Sequence, residues 1–134
     1  MRKESAKLDR EFQFRLDVHS GVPVYRQLID QILLGVASGL LPPGLQLPTV
    51  RQAAVDLSIN PNTVVRAYRE LELREILTTQ QGTGTFISAK KVPQEEALRR
   101  QRLDQLLGDL VARASAEGFS LEELRAWLDD LARG

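Results

Sequence analysis

Apolar residues in this chain change their spacing several times, and each change marks a new element. Phe12, Phe14 and Leu16 alternate with Gln13, Arg15 and Asp17, the period-two pattern of a short half-buried strand that Gly21 ends. Residues 1–10 mix charged and small side chains without periodicity and read as a flexible arm. From Pro23 the spacing becomes helical. Tyr25, Leu28, Ile29, Ile32, Leu33 and Val36 share one face, with Pro23 suited to open the helix and Gly39 to close it. In the following LLPPG, two prolines precede a glycine, so Pro42 to Gly44 is a turn and Leu45 to Leu47 a brief extended piece.

Thr49 and Gln52 have the spacing of a capping box, in which each side chain satisfies a free backbone N–H at a helix start. A second, short helix is expected from there through Arg51, Ala53, Ala54 and Leu57. Asn60 and Pro61 then supply an N-cap and a first-turn proline for a third helix, NTVVRAYRELEL. Val64, Ala67, Tyr68 and Leu71 make its single apolar stripe. Asn62, Arg66 and Arg69 fall on the opposite side, with Thr63 beside them in the first turn; taken alone, that is also the pattern of a solvated helix face. Ile76 to Thr79 and Thr85 to Ser88 are β-prone and flank QQGTG, which predicts an antiparallel hairpin. The glycines there do not make a phosphate cradle, because no GK[ST] follows and no helix opens after them.

Beyond Pro93 leucines dominate. Leu103, Leu107, Leu110 and Ala114 form a helical stripe that Leu106 and Val111 widen, and Gly118 closes the helix. Ser120 with Glu123 has capping-box spacing, and Phe119 with Leu124 that of a hydrophobic staple. A fifth helix carries Leu124, Trp127, Leu128 and Leu131.

Three helices, a short turn between the second and third, and then a hairpin make the ordered set of a winged helix-turn-helix. There the third helix can enter the major groove while the hairpin reaches the backbone or minor groove. The fold class expected is mainly α with a small β wing: an N-terminal winged helix-turn-helix followed by a C-terminal helical hairpin. The 134 residues suit one compact domain with a modest appendage, since domains commonly run ~100–150 residues. An apolar fraction of 43% and a charged fraction of 27% are ordinary for a chain that buries a core. No apolar run approaches the ~18 residues of a membrane span, and the start MRKESAKLDREF lacks the apolar stretch of a signal peptide. A cytoplasmic protein without membrane association is therefore expected. There is no cysteine, and His19 is the one histidine. With no metal-ligand cluster, no nucleophile with a base and its orienter, and no cofactor loop, neither an enzyme nor a metal or cofactor is expected. The formal charge is zero, 18 basic against 18 acidic residues, which argues against nucleic acid until local clustering is considered.

Four segments carry a resemblance: PVYRQLIDQI, ASGLLPPGLQLPTVRQAA, INPNTVVRAYREL and QGTGTFIS. Across residues 21–88 the chain resembles the GntR family of bacterial regulators, and within it the YtrA-type branch with short C-terminal regions. The resemblance implies that Arg51, in the LPT-x-R segment, contacts phosphate. It implies too that Asn60, Asn62 and Thr63 at the start of the third helix read bases, with Arg66 one turn on, and that Gly82 at the wing tip approaches the minor groove. Thr49, Arg69 and Thr83 complete the expected DNA-binding set. The chemistry agrees: Asn can pair bidentately with adenine and Arg with guanine, while Thr suits phosphate or a thymine methyl. Arg51 adds charge to the positive end of a helix. Four positions depart from the pattern. Pro61 and Val65 stand where many relatives carry arginine, so base preference does not carry over. Ser58 and Glu75 stand where relatives often have glycine, which predicts some strain at Ser58.

The organisation expected is an arm and short strand at residues 1–20, a DNA-binding domain at 21–88 and a dimerisation region at 89–134. Two amphipathic helices of that length leave apolar surface uncovered. Pairing of Leu103, Leu107, Leu110, Leu124, Trp127, Leu128 and Leu131 with a second copy would cover it; the alternative is that both helices pack back on the winged domain. A two-fold dimer predicts inverted-repeat half-sites about one helical turn apart. A small-molecule effector is compatible with such a dimer, though Trp127 and the leucines suit packing better than a ligand box. The resemblance further implies a repressor, with transporter operons among the targets of short relatives. The rival to a DNA-binding regulator is a winged-helix protein-interaction module without a DNA role, consistent with zero net charge.

Overall fold

The protein, described here as a computed structural model over residues 12–134, has helices α1 (Val24–Ser38), α2 (Val50–Leu57) and α3 (Pro61–Leu73). Strands β1 (Leu77–Gln80) and β2 (Gly84–Ile87) follow, and then α4 (Gln94–Ala116) and α5 (Leu121–Arg133). The arm expected at residues 1–10 lies outside the described residues. Helix α1 starts after Pro23 and stops at Gly39, whose φ of 89° turns the chain out of the helix while its N–H still reaches the Val36 carbonyl. At the start of α2 the Thr49 hydroxyl accepts the Gln52 N–H at 3.0 Å. Only this half of the expected capping box forms, because Gln52 Nε2 turns forward to donate to Asp56 Oδ1 at 2.8 Å. Helix α3 has Pro61 in its first turn and buries Val64, Ala67, Tyr68 and Leu71, the stripe read from its spacing.

The wing is an antiparallel hairpin in which Leu77 faces Ile87 and Gln80 faces Gly84. The extended piece at Leu45–Leu47 pairs with it: the Ile87 N–H donates to the Leu45 carbonyl and the Leu47 N–H to the Thr85 carbonyl, each at 2.9 Å. The far edge of β2 is thereby covered, which roots the wing in the body.

The strand expected over Phe12–Leu16 does not form. Among the described residues this stretch has no partner strand, and helix side chains take the place of one. Gln31 accepts the Arg15 N–H and returns a hydrogen bond to the Arg15 carbonyl, both at 2.9 Å. Gln27, one turn earlier on α1, accepts the Asp17 N–H at 2.9 Å. Alternation of the side chains still places Phe12 in the core, edge-on to Phe14 at 5.4 Å.

The core gathers one face of α1, the stripe of α3, Ala53 and Ala54 of α2, and the wing residues Leu77 and Ile87. Leu28, Ile29, Ile32, Leu41, Leu71 and Leu77 are almost fully enclosed. At about 1.5–3 kcal/mol for each such side chain, they bind the three helices and the wing root into one body. Helix α4 packs on α1, burying Ala97 and Asp104, and its Gly108 meets the Gly21–Val22 segment just before α1. At Gly108 a Cβ atom would stand 2.9 Å from the Val22 amide nitrogen, so the close approach needs glycine. Helix α5 buries no residue, and Ser120 and Glu123 complete its capping box in both directions.

Ser58 and Glu75 occupy the left-handed region, at φ 56° and 66°. Ser58 ends α2 there and Glu75 links α3 to the wing. The two positions where glycine is usual in the resembled family therefore do require the glycine conformation, and an L side chain bears the strain.

Candidate nucleic-acid interface

The core stripe fixes how α3 faces outward. At about 100° per residue, Asn62, Arg66 and Arg69 span about 60° of the helix circumference, opposite the buried residues, and all three are exposed. Thr63 lies at the edge of this face and is half-buried. Tyr68 locks the orientation by donating its hydroxyl to the Pro48 carbonyl at 2.9 Å, just before α2. Burial pushes that phenol above its ordinary range, so it stays a neutral donor.

Asn60 and Asn62 have different tasks. Asn60 Oδ1 accepts the Asn62 N–H at 2.8 Å and so caps the helix. The cap turns the Asn60 amide toward its own backbone and uses one lone pair of Oδ1, whereas bidentate pairing to adenine needs both ends of the amide presented to the base. The Asn62 side chain has no hydrogen-bond partner among the described residues. Thr49 is likewise engaged by its cap, and Arg51 projects, exposed, from the first turn of α2. Gly82 sits at the tip of the wing with φ 79° and an open space where a Cβ would be, next to exposed Thr83. The structure thus brings Thr49 and Arg51 to the start of α2, Asn62, Thr63, Arg66 and Arg69 to one side of α3, and Gly82 and Thr83 to the wing tip.

Three features of this region escaped the sequence reading. Tyr25 of α1 lies beneath Arg66, whose guanidinium carbon is 3.7 Å from the ring centroid. Gln46 reaches the wing by donating to the Thr83 carbonyl at 3.1 Å. Behind the interface, α1 and α4 are joined by two ion pairs whose carboxylates are buried: Arg26 meets Asp104 at 3.1 Å, and Arg100 meets Asp30 at 2.7 Å. The i, i+4 spacing of Arg100 and Asp104, with Asp30 set between Ile29 and Ile32, was the available signal for this joint.

The residues expected to dimerise stay largely uncovered in the single chain. Relative exposure runs from 44% at Leu107 to 64% at Leu131, with Leu103, Leu110, Trp127 and Leu128 between, while Leu124 is partly buried. Helix α4 does pack back on the winged domain, but with its small and polar face, and the leucines point elsewhere. Among the described residues no helix is long and apolar enough to cross a membrane, and no group of three or more His, Asp or Glu side chains could hold a metal ion.

Comparison with known proteins gives a consistent picture. The family profile for bacterial regulatory proteins, gntR family, matches residues 24–87. The HTH-type transcriptional repressor YtrA of Bacillus subtilis (strain 168) is 34% identical over 118 residues, 88% of this chain and 91% of that protein. Among solved structures, YtrA from Sulfolobus acidocaldarius, a GntR-family transcription factor, superposes with a TM-score of 0.55 at 30% identity, covering 70% of this chain and 97% of its own. A protein of Listeria monocytogenes EGD-e described as a transcriptional antiterminator gives a TM-score of 0.57 at 30% identity, over 90% of each chain.

Proposed function

We propose that this chain, which belongs to the YtrA-type branch of the GntR family of bacterial transcriptional regulators, represses transcription by occupying an inverted-repeat operator as a homodimer. The observation that carries this reading is the polar face of α3. Asn62, Arg66 and Arg69 face outward on a helix whose other side is anchored in the core, with Arg51 and the Gly82 wing beside it. In a duplex complex the start of α3 occupies the major groove, with Asn62, Thr63 and Arg66 toward the bases. Asn60 acts mainly by shaping the turn that delivers them. Thr49, Arg51 and Arg69 contact phosphates, and Gly82 with Thr83 approaches the minor groove.

In this reading residues 21–88 bind DNA and residues 89–134 hold the dimer, through the leucine face of α4 and through Leu124, Trp127, Leu128 and Leu131 of α5. The protein works in the cytoplasm, without catalysis, and a transporter operon is a candidate target. The kinship with a Bacillus subtilis protein named a repressor supports the sign of regulation.

Gel-shift titration of the full chain on the promoter of its own operon, across salt concentrations, tests the proposal. Affinity should fall steeply with salt. In a dimer, Arg51→Ala removes two phosphate contacts, so the log–log slope should flatten by about 1.8. Binding that ignores salt, or an unaltered slope in the Arg51 variant, would count against the reading. Sedimentation of Leu107→Glu/Leu128→Glu should show monomers; a dimer that survives this pair places the interface elsewhere.

A further inference from the structure

We propose that Tyr25 is a positioning residue for DNA recognition, acting as the platform that holds the Arg66 guanidinium in its reading orientation. This rests on the reading of the outward face of α3 as the DNA contact. Tyr25 sits on the second residue of α1, a helix with no expected role at the duplex, and its ring is half-buried against the core. The Arg66 guanidinium carbon lies 3.7 Å from the ring centroid, well inside the roughly 6 Å reach of a cation–π contact. A second cation, Arg26, stands 5.9 Å from the same ring. Arg26 is committed to Asp104 on α4 at 3.1 Å, which leaves the close stack to Arg66.

A guanidinium centred this closely over a ring face has N–H donors left along its rim, where two parallel hydrogen bonds to a base edge can form. An exposed arginine otherwise loses much rotamer freedom on binding, and a preformed stack removes part of that loss before the duplex arrives. Tyr25 therefore matters most where Arg66 must choose among bases and less where any phosphate suffices. Because the stack joins α1 to α3, the platform is as rigid as the core beneath it.

Two measurements on the full chain test this. In proton NMR of the free protein, the Arg66 side-chain methylene signals should be shifted upfield by the ring in the native protein and in Tyr25→Phe. The shift should vanish in Tyr25→Leu; no shift in the native protein overturns the proposal without any DNA. Affinities for the duplex of its own promoter and for a scrambled duplex of equal length give the second readout. Tyr25→Leu should lower the preference between them about two- to fivefold, Tyr25→Phe should retain it, and in an Arg66→Met background Tyr25→Leu should change nothing further. Additive losses, or equal weakening on both duplexes by Tyr25→Leu in a protein that melts normally, would overturn the platform role alone. If Arg66→Met itself leaves both affinities unchanged, the reading of the α3 face fails and the inference falls with it.

Discussion

The joint between α1 and α4 should make stability fall as pH rises toward neutrality. Asp30 and Asp104 are both buried, at 4% and 6% exposure, and each has an arginine partner. Asp104 Oδ2 is enclosed without a donor among the described residues. Burial, reinforced by the neighbouring Asp104 carboxyl, pushes the Asp30 carboxyl up to about 7, against the opposing pull of Arg100. A proton shared between the two carboxyls would supply the donor that Asp104 Oδ2 lacks. In the unfolded chain Asp30 releases that proton near pH 4, so between about pH 4 and 7 the folded state binds more protons than the unfolded one. The stabilisation this confers is complete below pH 4 and is lost as pH rises through 7. Linkage at 1.36 kcal/mol per pKa unit gives a ceiling of about 4 kcal/mol for the whole window and about 2–3 kcal/mol between pH 5 and 8. Urea unfolding followed by far-ultraviolet circular dichroism at fixed protein concentration, pH 5 to 8, measures it, since dimerisation would otherwise shift the midpoint. Asp104→Asn supplies a permanent amide donor and removes the neighbouring negative charge, so Asp30 should ionise at lower pH and most of the slope should disappear. A native profile that is flat or rises with pH, or an Asp104→Asn slope equal to the native one, refutes the shared-proton account.

Two further predictions come from backbone geometry. Ser58→Gly and Glu75→Gly relieve left-handed strain of about 1–2 kcal/mol, offset by glycine's entropy of about 0.5–1 kcal/mol. Each should raise stability by up to about 1 kcal/mol, read as a higher urea midpoint with unchanged m; a loss at either position contradicts the strain reading. Gly108→Ala places a methyl 2.5 Å from Val22 Cγ2 and 2.9 Å from the Val22 nitrogen, so α4 must lift from the 20–22 segment. It should cost about 1–3 kcal/mol, where the usual helix preference for alanine predicts a gain of about 1 kcal/mol; thermal melting separates the two signs.

Local rules made most of the fold readable. Periodicity found the faces of α1 and α3, and Thr49, Asn60 and Ser120 marked helix starts because a cap is a contact between near neighbours. The errors lie where a distant group supplies what a near one was expected to. Phe12–Leu16 alternates like a strand, yet Arg15 and the adjoining Asp17 hydrogen-bond to Gln31 and Gln27, sixteen and ten residues away. Asn60 was legible as a cap from Pro61 beside it, but that its side chain spends an acceptor there shows only in the capping bond to the Asn62 N–H. The Tyr25 platform was hidden because an aromatic on a helical apolar stripe has the same pattern whether it faces the core or the guanidinium of Arg66.

Net charge misleads for a similar reason. Residues 21–88 contain five basic and five acidic side chains, so the winged domain is as neutral as the whole chain. None of the acids, however, falls in the first nine residues of α3. Asp30 is buried against Arg100, and Glu70 lies near Arg74 and Arg100, at 3.4 and 4.0 Å. Glu72 and Glu75 follow at the wing end of α3, while Pro61–Arg69 contains two arginines and no carboxylate. With a Debye length of about 8 Å at physiological salt, a phosphate at the start of α3 responds to Arg66, Arg69 and the helix dipole far more than to carboxylates screened beyond that distance. A neutral domain can therefore present a cationic edge, and this makes the salt slope, rather than the isoelectric point, the measurement that decides between a DNA-binding regulator and a protein-interaction module.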